Sequence, residues 1–225
     1  MYPSLIFEQI QSPEDKLYTF FNKVYTESFD ENERRTPQNL ALEMQNPKAN
    51  VCVIRAVLNE AELGIMKYYT NGNNQSLVSQ SVEDIEHSMP VGILIYWEFA
   101  EFIYLGHFAI AEDFRNHKLG GQFLSNFLKD TSKPVILEVE LPDTDLAVRR
   151  IGFYERLGLK LYTKSYMQPA YSPSLQSIPL YLMETERTHL LEKEFDKIVK
   201  MMHTEIYWES NRSTPLTQTA QDNCI

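Results

Sequence analysis

The sequence predicts a mixed α/β domain, in which helices flank one central, mostly antiparallel sheet of six to seven strands. Two observations predict it. Segments with strand and helix periodicity alternate along the chain, and one strand is apolar on both faces, as in the centre of a covered sheet. The 225 residues suit one large domain or one domain with additions, and a hydrophobic content of 43% supplies a core.

The first quarter of the chain contains two predicted strands with two helices between them. The predicted elements are strand 5–10, helix 14–29, a helix from 36 to about 46, and strand 51–58. Ser12 offers a cap for the first helix, whose aromatic side chains recur at helical spacing. Thr36 caps the second helix and is followed by a proline, which suits the first helical position. The second strand is rich in β-branched residues.

A polar stretch then interrupts the pattern. Residues 59–89 predict an insertion or long loop, with a turn at 71–76 and a short helix near 81–87. Loops of this length are uncommon in compact domains, so we expect this one to be either variable or functional.

The clearest strands follow from Val91. Residues 91–97 predict one strand, 98–101 a turn, and 102–110 a second strand. A period of two places Phe102, Tyr104, Phe108 and Ile110 on one face, and Ile103, Leu105 and Ala109 on the other. Because both sets are apolar, this strand is expected at the centre of the sheet. Gly106 within it predicts a bulge or the close approach of another group.

The rest of the chain alternates between helix and strand. The predicted elements are helix 119–129, strand 135–139, helix 146–157, strands 160–167 and 178–183, and helix 188–208. Gly158 is a natural end for the second of these helices. We expect residues 1–185 to form the main domain, 186–209 an amphipathic helix, and 210–225 a flexible tail. The apolar stripe of that helix predicts packing on its own domain, with a homodimer as the alternative.

Charge narrows the class of function. The formal net charge is -10, and the lysines and arginines are scattered rather than clustered. Nucleic-acid binding needs a basic face, so we exclude it. An acidic surface favours a cationic acceptor such as an amine, although it would also serve solubility alone.

Cysteine usage and targeting patterns point to the cytoplasm. Cys52 and Cys224 are too far apart in sequence to indicate a disulfide framework or a zinc site, so no metal is expected. The N-terminus has no signal-peptide pattern, and no window approaches the roughly 18 apolar residues of a membrane span. No membrane partner is therefore expected.

The most informative segment joins strand 102–110 to helix 119–129. Arg115 and Lys118 add positive charge to the turn, and Gly120 and Gly121 stand in the first helical turn. A helix N-terminus presents unpaired N–H groups, and glycines let a ligand approach that backbone, so a phosphate is a natural guest. The alternative is an ordinary strand-turn-helix in which glycine serves packing.

These residues resemble the phosphate-binding signature of the GNAT acetyltransferases. That signature is Arg or Gln, two residues, Gly, one residue, and Gly or Ala; Arg115 and Gly120 match it, and Lys118 replaces the first glycine. Residues 149–159 resemble a second family segment, with Phe153-Tyr154 before Gly158-Leu159 in place of the commoner Gly-Phe. The two segments have the right order and separation, and the resemblance covers about residues 90–185. The lysine is expected to reduce backbone flexibility and narrow the approach of a pyrophosphate; alternatively, its ammonium reaches the phosphates or solvent.

The resemblance implies a GNAT-like fold that takes acetyl-CoA as acyl donor in a wedge between the fourth and fifth strands. The pantetheine arm would run along the fourth strand near Phe108, Ala109 and Ile110. The pyrophosphate would meet Arg115 and the turn that follows it. The residues expected there are Asn116, His117, Lys118, Leu119, Gly120 and Gly121.

The resemblance also implies direct attack of a neutral amine on the thioester, with an acid for the departing thiolate and a base for the amine. Tyr154 matches the position of the family's acid; a packed tyrosine is the alternative. For the base the candidates are His107, Glu138 and Glu140, the two glutamates sharing one strand face. The alternatives are a satisfied buried imidazole and a solvated face, so the base stays open.

The acceptor stays open as well, as a small-molecule or protein amine. Aromatic residues available for its pocket are Tyr68, Tyr69, Tyr166 and Tyr171. Two other classes of function compete with an enzyme: a non-catalytic protein that binds or senses acetyl-CoA, and an interaction protein that uses the last helix.

Overall fold

The structure, a computed structural model, describes residues 4–57, 88–186 and 189–207. The strands are β1 Ser4–Gln9, β2 Ala49–Val57, β3 Ser88–Glu98, β4 Ile103–Ile110, β5 Val135–Glu140, β6 Leu159–Gln168 and β7 Ile178–Thr185. The helices are α1 Tyr18–Ser28, α2 Pro37–Met44, α3 Leu119–Asp130, α4 Asp145–Arg156 and α5 Leu190–Glu205. Most of the predicted 59–89 insertion, the helix near 81–87, Tyr68, Tyr69, Cys224 and the tail from 210 lie outside the described residues.

The described strands form one seven-stranded sheet with the order β1-β2-β3-β4-β5-β7-β6. Every neighbouring pair is antiparallel except β4 and β5, which run parallel. The predicted fold class is therefore confirmed, and β4 is the central strand as its two apolar faces indicated.

Helices cover both faces of this sheet and define two cores. Side chains of α1, α2 and α5 pack on one face, and we call this face the α1/α5 side. Side chains of α3 and α4 pack on the other, which we call the α3/α4 side. Because β4 contributes Tyr104 to the first core and Leu105 to the second, it belongs to both.

A bulge at Gly106 corrects the predicted faces of β4. His107 pairs with Ile95 and Leu105 pairs with Tyr96, so Gly106 is an extra residue in this strand. The extra residue reverses the alternation beyond it. Phe108 and Ile110 therefore pack on the α3/α4 side with Leu105, and Ala109 packs on the α1/α5 side with Tyr104. The bulge was predicted, but its effect on the faces was not.

The first helix begins later than predicted. Local hydrogen bonds form turns before it: the Ser12 carbonyl accepts from the Asp15 N–H at 3.1 Å, and the Asp15 carboxylate accepts from the Leu17 N–H at 2.9 Å. These local hydrogen bonds compete with the helix for the backbone N–H groups, so α1 starts at Tyr18 and Ser12 does not cap it. In contrast, Thr36 caps α2 as predicted, accepting from Asn39 N–H at 3.3 Å.

The last helix packs on its own domain. Leu191, Phe195, Ile198 and Met202 are buried against the α1/α5 side of the sheet. The Glu184 carboxylate accepts from the Leu190 and Leu191 N–H groups at 2.7 and 2.8 Å, which satisfies donors at the start of α5. The apolar stripe is therefore used within the described chain.

Within the described residues, no helix combines the length and the apolar character that crossing a bilayer requires.

The end of α4 yields a stability prediction. Gly158 has φ +86°, and a Cβ built there meets no atom within 4 Å, so Gly158→Ala should cost about 1 kcal/mol from backbone strain alone. Gly152 lies inside α4, where a Cβ would meet only the mobile end of Arg156, so Gly152→Ala should stabilise by about 0.5–1 kcal/mol. Urea unfolding of both variants measures the change in the free energy of unfolding. If both variants changed it in the same direction, the strain expected at Gly158 would be contradicted.

Candidate active site

A gap opens between β4 and β5 because their pairing is short. The parallel register joins only residues 103–105 to 135–137, after which β4 continues to Ile110 beside β3 and β5 continues to Glu140 beside β7. The gap begins where Gly106 bulges β4 away from its regular path. A cavity of about 630 Å³ fills it, a size typical of small-molecule sites. The predicted wedge between the fourth and fifth strands is present.

Eight of the predicted site residues line this cavity. They are His107, Phe108, Ala109, Ile110, Arg115, Glu138, Glu140 and Tyr154. The two faces of the sheet supply different groups, since Phe108 and Tyr154 belong to the α3/α4 side and the His107 ring contacts Phe29 of the α1/α5 side. The cavity therefore reaches both faces through the gap. The predicted residues 116–121 lie outside its wall, in the turn into α3.

Tyr154 reaches the cavity from α4, which Thr144 caps by accepting from Ala147 N–H at 3.1 Å. Ile151 and Ala147 on the same helix are buried and fix its inner face. Burial raises the pKa of Tyr154 to about 12, against the opposing effect of the nearby Arg150 charge. The phenol therefore keeps its proton at neutral pH.

Glu138 is a half-buried carboxylate surrounded by tyrosines. Tyr104 donates to its Oε2 at 2.8 Å, Tyr207 approaches both of its oxygens at 2.8 and 2.9 Å, and Tyr166 donates to its Oε1. Burial raises the pKa of Glu138, and the phenol hydrogen bonds oppose that rise. A carboxylate in this setting takes up a proton at a higher pH than an exposed one.

His107 is neutral and its tautomer is determined. Its Nε2 lies 2.8 Å from the Glu33 carbonyl oxygen, which can only accept, so Nε2 carries the proton. Burial lowers the pKa of His107 to about 4. Nδ1 is thus an unprotonated acceptor, and among the described residues it has no hydrogen-bond partner. Nε2 of Gln168, an amide donor that also lines the cavity, has none among them either.

Glu140 has a different environment from Glu138, although both line the cavity from one strand. It forms an ion pair with Arg150 of α4, and both side chains are partly exposed, at 36% and 41%. An exposed ion pair of this kind contributes little to stability. It does engage the Glu140 carboxylate with the Arg150 guanidinium.

The turn into α3 has a left-handed backbone at Lys118, where the family signature has its first glycine. Lys118 has φ 61° and ψ 7°, the left-handed conformation that favours glycine, and it precedes a helix whose first turn holds no acidic residue. A lysine there costs roughly 1–2 kcal/mol relative to glycine, but the backbone path is retained, so the expected loss of flexibility does not change the loop geometry. Arg115 Nε donates to the Ile110 carbonyl at 3.0 Å, which ties the turn to the end of β4.

Gly120 serves packing in this turn. A Cβ at Gly120 would lie 3.3 Å from Ile110 Cγ1 and 3.6 Å from the Phe108 ring, so its absence lets α3 lie close against β4. The close contact supports a packing role for Gly120, and the N-cap residue Lys118 makes no side-chain hydrogen bond to the start of α3.

The structure adds residues that the sequence did not indicate. Tyr104 and Tyr207 contact Glu138, Arg150 pairs with Glu140, and Gln168 lines the cavity. They come from β4, α4, β6 and the end of α5, so no local spacing connects them. Of the predicted pocket aromatics, Tyr171 lines the cavity and Tyr166 lies behind Glu138. The described residues contain no group of three His, Cys, Asp or Glu suited to a metal.

Comparison with known proteins identifies this fold. A GNAT-family acetyltransferase candidate from Bacteroides thetaiotaomicron has a TM-score of 0.70 and 27% identity, covering 90% of this chain and 98% of that one. A chimera of the spermidine N-acetyltransferase SpeG from Vibrio cholerae with hSSAT, at 9% identity and a TM-score of 0.50 over 84% of this chain and 99% of that one, shares the fold alone.

Sequence comparison agrees over a shorter range. The acetyltransferase candidate YjbC of Bacillus subtilis (strain 168) is 38% identical over 70 residues, which are 30% of this chain and only 36% of YjbC. No protein-family model matches the chain. The predicted resemblance to GNAT acetyltransferases is confirmed by the structural and sequence neighbours together.

The buried imidazole gives a pH prediction. The pKa of His107 falls from 6.5 to about 4 on folding, so below pH 6.5 the unfolded chain binds a proton that the native state does not. The contribution of the neutral His107 to the free energy of unfolding is fully present above pH 6.5. It is lost as the pH falls toward 4, and the loss amounts to about 3 kcal/mol. His107→Gln should remove this part of the pH dependence when urea unfolding is compared at about pH 7 and pH 4. The exposed His189→Gln controls for the substitution, and equal slopes for His107→Gln and the parent would contradict the assignment.

Proposed function

Because the chain has the GNAT acetyltransferase fold and resembles members of that family in sequence, we propose that it transfers an acetyl group from acetyl-CoA to an amine. One observation carries the proposal: the gap between β4 and β5 has a protonated phenol, Tyr154, on one face and a half-buried carboxylate of raised pKa, Glu138, on the other. An acyl transfer between two partners needs a proton donor for one and a proton acceptor for the other.

The residues present fit acetyl-CoA. Beyond Leu105 the edge of β4 that faces the gap has no strand partner among the described residues, so its main chain can pair with the amides of an extended pantetheine arm. The first turn of α3 offers backbone N–H groups to a pyrophosphate, because the N-cap residue Lys118 makes no side-chain hydrogen bond to them. Lys118 also adds positive charge. When bound, acetyl-CoA supplies an acetyl group activated as a thioester.

Tyr154 supports the departure of the sulfur. The amine nitrogen forms a bond to the acetyl carbon, the carbon–sulfur bond breaks, and the sulfur leaves with the electron pair. A thiol has a pKa near 8.5, whereas the pKa of Tyr154 is about 12, so its hydroxyl is always available as a hydrogen-bond donor to the developing thiolate. Its position on the α3/α4 side leaves the opposite face to the amine.

Glu138 is the proton acceptor that the environment favours among the three candidates. His107, with a pKa of about 4, is a weak base near neutral pH and serves better as a hydrogen-bond acceptor through Nδ1. Glu140 is held by Arg150. Glu138 has the raised pKa that suits a general base, and an ammonium that enters the site must lose a proton before its nitrogen can attack.

The charge around the cavity supports a cationic acceptor. Acidic residues of the wall are Glu27, Asp30, Glu33, Glu138 and Glu140, and its basic residues are Arg115 and Arg150. With Arg150 paired to Glu140, the balance is negative and attracts an ammonium on a small molecule or a protein. A buried free thiol at Cys52 also supports the cytoplasm as the place of action.

Binding of the donor is the first test. Calorimetric titration of acetyl-CoA should give micromolar affinity, and Lys118→Glu should weaken it about tenfold or more by placing negative charge at the phosphates. Lys129→Glu makes the same exchange at the far end of α3 and should leave the affinity unchanged. No binding by the parent protein at millimolar acetyl-CoA would overturn the proposal.

The role of Tyr154 has its own readout. With an accepted amine, Tyr154→Phe should lower kcat roughly a hundredfold and leave the acetyl-CoA dissociation constant unchanged, since only the hydroxyl is lost. Tyr181→Phe, a tyrosine packed against the same core, serves as the matched control. Thiol release measures both, and a Tyr154→Phe enzyme with the parent kcat would remove the hydroxyl from the chemistry.

A further inference from the structure

Four oxygen-bearing side chains converge behind the cavity wall. Besides the contacts that each tyrosine makes with Glu138, the Tyr104 and Tyr207 hydroxyls lie 2.9 Å from each other. We call Glu138, Tyr104, Tyr166 and Tyr207 the tyrosine cluster. Its members come from β5, β4, β6 and the residues after α5, and only Glu138 lines the cavity.

The contacts within the cluster have room for one more proton. Counting the bifurcated approach of Tyr207 to the carboxylate once, they include three phenol–carboxylate contacts and two phenol–phenol contacts, Tyr104–Tyr207 and Tyr166–Tyr207. Each phenol has a single proton. An ionised Glu138 therefore leaves three protons for five contacts, so the contacts are not all supplied with a hydrogen.

A proton added to Glu138 supplies one of the missing hydrogens. The carboxyl O–H can donate to Tyr207, Tyr207 can then donate to Tyr104, and Tyr104 and Tyr166 still donate to the carboxyl oxygens. Only hydroxyl rotations are needed. Both charge states are thus hydrogen-bonded, which avoids the penalty of an unsatisfied buried group.

We propose that the tyrosine cluster is the proton-accepting unit of the site, in which Glu138 takes a proton from the acceptor ammonium and the three phenols position the carboxylate and redistribute its hydrogen bonds. The inference rests on the proposed function. In the step, an N–H bond of the ammonium breaks, the nitrogen keeps the electron pair, and the proton adds to a carboxylate oxygen. Nothing is oxidised or reduced.

The cluster makes α5 part of the site. Tyr207 follows the helix directly, and the buried guanidinium of Arg35 donates to the carbonyl of the preceding Ile206. The Tyr207 ring also packs 5.1 Å from Tyr171 of the cavity wall. The segment after the main domain thus delivers a positioning residue.

Other ionisable groups surround the cluster. Those on the elements packed against it are Glu33, Arg35, Glu43, His107, Glu140, Tyr171 and His203. The charge of Glu33 adds to the rise of the Glu138 pKa. Arg35 lies over Tyr171 and forms a buried ion pair with Glu43. These groups are retained in the variants below, so a change in titration is attributable to the phenol removed.

The test is the pH dependence of turnover in Tyr104→Phe, Tyr166→Phe and Tyr207→Phe. Loss of one donor to the carboxylate should raise the pKa of Glu138, so the acidic limb of the kcat profile should move up by roughly one pH unit. The KM for acetyl-CoA should be unchanged, and Tyr18→Phe on α1 should keep the parent profile. Unmoved limbs in all three folded variants would overturn the inference.

A second measurement does not depend on activity. Infrared spectra of protein with isotope-labelled glutamate should show a carboxyl that protonates above the ordinary glutamate range of about pH 4.3, and Glu138→Gln should remove that signal. In Tyr207→Phe the signal should titrate at higher pH. An identical titration in the parent and Glu138→Gln overturns the cluster, whereas a normal infrared result with no transfer to any amine overturns the proposed function.

Discussion

The early parting of two parallel strands is the constraint on which the rest of this structure depends. β4 and β5 share three residue pairs, and beyond them each strand is held only by its outer neighbour. Helices cover both faces of the sheet at this gap. Those on each side therefore form the walls of a cavity that passes through the gap from one face to the other. The bulge at Gly106 starts the separation and also decides which side chains of β4 face each wall.

Desolvation then differentiates the groups along this gap. Burial alone would raise the pKa of a carboxyl and a phenol and lower that of an imidazole, and the three move in those directions at Glu138, Tyr154 and His107. As a result, Tyr154 holds its proton, Glu138 takes up a proton more readily than an exposed carboxylate does, and His107 stays neutral. A buried carboxylate without a cation is costly, and the surrounding phenols reduce that cost through hydrogen bonds rather than through charge.

Periodicity and turn chemistry predicted most of the fold, because those signals are local. The Thr36 cap, the Gly158 helix end and the Gly106 bulge were each readable from one or two residues. Two features were not: Ser12 and Asp15 form turns that delay α1, and the bulge inverts the faces beyond it. At the site, eight of the predicted catalytic and cofactor-binding residues line the cavity. The hydrogen bonds to Glu138 were not predicted, since Tyr104, Tyr166 and Tyr207 meet only after the sheet and α5 have assembled.

The left-handed backbone at Lys118 has a consequence for how such loops are recognised. The turn into α3 takes a left-handed φ at Lys118, and glycine is only the residue that adopts such a φ at the lowest cost. A chain whose core can spare roughly 1–2 kcal/mol can place a side chain at that point and keep the turn. Patterns that demand glycine there describe a preference of sequences rather than a requirement of geometry. Searches that score the backbone torsion angles of the turn should therefore recover relatives that are omitted by sequence signatures requiring glycine.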